Sequence, residues 1–65
     1  MHPLVAYRIA NKMIPADMAR LLGVSRATIH RWETGERGPS RNNLSVIKEK
    51  TGIDPGAIIE HEAAQ

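Results

Sequence analysis

Sixty-five residues without a cysteine make one small domain, held by helix packing, a partner subunit or both, because no disulfide or thiolate-metal site is available. The formal charge of +2 is unevenly spread: Arg20, Arg26, Arg31, Arg37 and Arg41 outweigh Glu33 and Glu36 in a basic middle, while residues 42–65 are net acidic, a layout that either draws polyanions to the centre of the chain or is an ordinary solvated surface. No apolar run approaches the roughly 20 residues that span a bilayer, and no charged-then-apolar leader opens the chain, so the expectation is a soluble cytoplasmic protein.

Pro3 suits the first turn of a helix, where its missing N–H is no loss. Leu4, Val5, Tyr7 and Ile9 offer that helix an apolar face up to about Lys12. Met13 and Ile14 bridge to Pro15, which starts a second helix over 15–22, with Met18, Leu21 and Leu22 at helical spacing. Gly23 stops it, since glycine takes the left-handed conformation that ends a helix. Ser25 is an N-cap candidate for a third helix running to about Thr34, with Gly35 as its stop. Glu36-Arg37-Gly38-Pro39-Ser40 reads as a loop. A fourth helix covers roughly 41–50 with Leu44 and Ile47 inward, and Gly52 ends it. Asp54 then caps a fifth helix, with Pro55 at its first position. The expected domain is 1–61, with a disordered tail over 62–65.

Ala19, Gly23 and Ile29 lie at the offsets a helix-turn-helix requires: a small residue for close helix crossing, a glycine for the turn, and an apolar wedge between the helices. At 100° per residue from Ser25, Ile29 and Trp32 face inward with Ser25, whereas Arg26, Ala27, His30 and Arg31 form the outer face. Arginine donates to guanine O6 and N7 together, and a small residue allows close approach to base edges. Imidazole can donate to a base acceptor or a phosphate. On an isolated helix the arginines would be solvated surface; their place on this motif favours DNA contact, and His30 is either a contact or solvated. Trp32, sharing the Ile29 face, is core rather than a stacking platform, and Arg20 is solvated. The three histidines lack metal-ligand spacing, and no nucleophile, phosphate loop or triad is evident, so neither an enzyme nor a cofactor is expected.

The stretch from Met18 to Gly35, followed by Pro39, resembles the Cro/CI-type helix-turn-helix family of phage and bacterial transcriptional repressors. The resemblance covers about residues 4–59 and implies an all-α, five-helix, lambda-repressor-like domain, although some relatives replace the C-terminal helices with strands. It implies a small Cro-like repressor bound as a homodimer to a pseudo-palindromic double-stranded DNA operator, with half-sites one helical turn, roughly 34 Å, apart. Carried over by position, Arg26, Ala27, His30 and Arg31 meet base edges, while Ser25, Arg37, Arg41 and Asn42 hold phosphates. Arg8 and Glu33 fall where some members pair helix one with the end of the recognition helix. The chain departs from the pattern at Ile14 and Pro15, where the family often carries Ser or Thr and then Gln, so a phosphate contact there is lost. Lys50 and Thr51 also occupy usually apolar positions. An antitoxin or plasmid-maintenance regulator of the same fold, or a protein-interaction module, remains the alternative. Ile53, Ile58 and Ile59 are candidates for a self-association surface.

Overall fold

The computed structural model describes residues 1–64. Its order is α1 (Pro3–Ala10), α2 (Pro15–Leu22), α3 (Arg26–Thr34), α4 (Arg41–Thr51) and α5 (Pro55–Ala63). No strand occurs among the described residues, so the C-terminal segment is helical. None of their helices is long and apolar enough to cross a membrane. α2 packs on α3 and α4, and α5 is held by α4 and α1. Leu4, Met18, Ala19, Leu22, Ile29, Trp32, Ile47 and Ile58 make one core contributed by all five helices.

Local chemistry fixes the helix ends. The hydroxyls of Ser25 and Ser40 accept from the backbone N–H groups of Thr28 and Asn43, at 3.1 and 3.2 Å. Ile14 has no side-chain acceptor, but its own N–H donates to Asp17 Oδ2 at 3.1 Å, and Asp17 also pairs with Arg20. Gly23 ends α2 at φ 70°, and the N–H of Val24 returns to the Ala19 carbonyl at 3.0 Å. Open space surrounds the position a Cβ would take on Gly23. Gly23→Ala is therefore a clean test of backbone strain alone, expected to cost about 1–2 kcal/mol in urea unfolding without altering the core.

Three local expectations are corrected. α1 stops at Ala10, because Lys12 adopts φ 55° and the N–H of Met13 turns back to the Arg8 carbonyl at 2.8 Å. Ile9 is 56% exposed; at 100° per residue it lies about 140° round the helix from buried Leu4. Asp54 occupies the N-cap position of α5 but makes no side-chain cap hydrogen bond; its carbonyl accepts from Ala57 N at 3.0 Å. α5 continues to Ala63, and of the expected 62–65 tail Gln65 lies outside the described residues.

Candidate nucleic-acid interface

α3 is anchored from beneath. Ile29 is fully buried and Trp32 nearly so, both in the core cluster against α2 residues Met18, Ala19 and Leu22. Ala19 matters because a larger side chain there would push the helices apart, an overpacking cost of about 1–3 kcal/mol. With one stripe buried, helical periodicity turns Arg26, Ala27, His30 and Arg31 outward, and all four are exposed. The first turn of α3 carries no acidic side chain, so its positive dipole end is uncompensated and adds to the Arg26 charge.

Ser25 is exposed rather than inward. An N-cap residue has extended dihedrals (here φ −79°, ψ 159°), so the 100° count does not extend to it. Its hydroxyl holds Thr28 N and lies 2.9 Å from Thr28 Oγ1. The phosphate role expected of Ser25 therefore competes with an existing cap.

The α3–α4 loop folds back on α3, with Arg37 N–H donating to the Arg31 carbonyl at 3.2 Å. The fold-back opens a cleft of about 400 Å³ whose walls include Arg31, Arg37, Ser40 and Asn43, with Thr28 and Trp32 at the α3 side. The structure thus brings Arg31 and Arg37 to one concavity. Arg41 and Asn42 are exposed in the first turn of α4, another helix N-terminus without an acidic residue. Asn43 and Ser40 also line this cleft, beside the residues the resemblance assigns to DNA contact. A serine immediately before a helix was the available signal for Ser40 as a cap; Asn43 had none, because its position depends on the fold-back of the loop.

Arg8 and Glu33 meet away from the arginine-lined cleft. Arg8 Nε donates to Glu33 Oε2 at 3.0 Å, and its terminal nitrogen donates to Oε1 at 3.2 Å. Both side chains are largely shielded, at 19% and 12% exposure. The fork geometry fastens α1 to the last turn of α3 and so orients α3 from its C-terminal end. At the start of α2, Ile14 and Pro15 are exposed and offer no side-chain donor.

Over 39 residues the chain is 51% identical to a protein named as an uncharacterized HTH-type transcriptional regulator from Haemophilus influenzae (strain ATCC 51907 / DSM 11121 / KW20 / Rd). That alignment takes in 60% of this chain and 16% of the relative, so the chain spans only a small part of the relative's length. No solved structure matches. The profile of the family described as Helix-turn-helix matches residues 4–58, nearly the whole domain. With α2 packed on α3, a left-handed glycine between them and an outward cationic second helix, the chain belongs to the helix-turn-helix family.

Proposed function

We propose that this chain is a sequence-specific, DNA-binding transcriptional regulator of the Cro-like repressor type, placing α3 in the major groove of an operator. The observation that carries the reading is the division of α3: Ile29 and Trp32 buried, Arg26, Ala27, His30 and Arg31 exposed. A short helix pinned along one stripe, with two guanidinium groups, an imidazole and a methyl-sized gap on the other, has the chemistry of base-edge readout. Arg37, Arg41 and Asn42 flank it as phosphate contacts that set register and affinity. The relative's name as a transcriptional regulator points the same way.

On this reading two copies occupy a pseudo-palindrome, each reading one half-site. Of the candidate apolar contacts, Ile58 is fully buried and Ile53 partly so, leaving Ile59 as the exposed member. The interface is therefore narrower than the isoleucine content of 53–59 implies.

Selection from random duplexes tests the proposal. The expected product is a two-fold symmetric site whose half-sites lie about 34 Å apart, centre to centre. Recovery of random sequence after repeated rounds at low salt, alongside binding to a protein partner, would replace it with the interaction-module reading. An asymmetric single half-site would retain DNA reading and remove the dimer.

A further inference from the structure

His2 is buried, yet none of the interface needs it. It is 4% exposed. Its Nδ1 accepts the Leu4 backbone N–H at 3.1 Å, so the imidazole serves as the N-cap of α1. Its Nε2 is buried with no hydrogen-bond partner. The ring stands edge-on to His61 of α5, with centroids 5.0 Å apart and planes at 72°. One residue further along α5, Glu62 lies over Gly38, where a Cβ would collide with its carboxylate. The last turn of α5 therefore touches both the start of α1 and the loop that carries Arg37.

We infer that His2 and His61 form an acid-sensitive latch, closed when His2 is neutral, that holds α5 against α1 and over the α3–α4 loop. The tautomer is dictated by the cap: Nδ1 must keep its lone pair to accept from Leu4, so the neutral ring carries its proton on Nε2. A second proton has only Nδ1 to go to. There it opposes the Leu4 N–H, abolishes the cap and leaves a cation in a buried site. The groups facing His2 are His61 from α5, Glu33 from α3 and the amino terminus of its own segment. His61 and the amino terminus oppose the extra charge. Glu33 favours it, but is already engaged by two nitrogens of Arg8.

Burial first, then the His61 and amino-terminal charges, hold the His2 pKa below its ordinary 6.5, with Glu33 pulling the other way. The folded protein thus binds this proton less readily than the unfolded chain. Its contribution to stability is fully present above the ordinary value and is lost as the pH falls through 6.5 toward the folded-state value.

The test uses the full chain and two nuclear magnetic resonance readouts, the titration of each histidine ring and amide hydrogen exchange. In the unaltered protein the His2 ring is expected to titrate below the ordinary histidine range. After correction for intrinsic rates, amides of Leu4 and of α5 should lose protection several-fold between about pH 7.5 and 5.5, relative to amides in α2 and α3. His2→Asn supplies a cap acceptor that cannot titrate, and should remove this selective loss. An equal loss across all five helices, an unchanged loss in H2N, or a His2 ring that titrates at or above the ordinary range would each overturn the latch. If H2N does not fold, the two readouts on the unaltered chain decide the question by themselves.

Discussion

Ile29→Ala is expected to abolish most of the stability of the domain. Ile29 is fully buried at the crossing of α3 on α2 and belongs to the single core cluster. Removing its methyl and methylene groups forfeits their transfer energy and leaves a cavity that close-packed neighbours fill only in part, a cost of about 2–5 kcal/mol for an isoleucine-to-alanine change. A 65-residue domain with no cysteine has a core that supplies only about 3–5 kcal/mol. The loss is thus comparable to the whole margin. Trp32, the sole tryptophan and nearly buried, reports the transition by fluorescence. Ile9→Ala is the control: the same chemical change at an exposed site, expected within about 0.5 kcal/mol of the parent. If I29A unfolded at the same urea concentration as the parent, the placement of Ile29 as the wedge beneath the recognition helix would be wrong.

The contrast between Ile29 and Ile9 also shows what the chain makes legible. The bounds of α2, the Ser25 cap and the glycine stops after α2, α3 and α4 follow from short-range chemistry, because a cap or a left-handed turn needs only its immediate neighbours. The outward set on α3 follows from periodicity once Ile29 and Trp32 are recognised as its buried stripe. The exposure of Ile9 is not legible locally, because four apolar residues in α1 span more than one face and only tertiary packing selects which of them is covered. The contact of His2 with His61 and the place of Asn43 on the cleft wall lie beyond reach for a related reason. One depends on α5 returning to the start of α1, the other on the loop closing against α3, and neither leaves a pattern in the local sequence. Asp54 shows the converse limit: a residue type suited to a cap occupies the cap position without making the bond.

Arg31 and Arg41 should separate readout from attachment. Arg31 projects from the exposed side of α3, and its backbone is braced by the Arg37 N–H at 3.2 Å, so the guanidinium is presented from a fixed base. Arg41 sits on the first turn of α4, beyond the recognition helix, where a guanidinium adds to the positive end of the helix dipole. On a selected operator, Arg31→Ala is expected to lose about 1–3 kcal/mol, roughly 5- to 150-fold in affinity, and to relax the preference at one base pair. Binding to random duplex should change much less. On the proposed reading, which gives Arg41 one phosphate contact and its released counterion, Arg41→Ala should weaken operator and random duplex alike and reduce the slope of log affinity against log salt by about one. Titrations of both variants at several salt concentrations, on cognate and random DNA, give the two quantities separately. Loss of discrimination in R41A with none in R31A would exchange the two roles, moving sequence reading to the start of α4. Equal behaviour of the two on every duplex would remove base readout from Arg31 and leave α3 as an electrostatic contact alone.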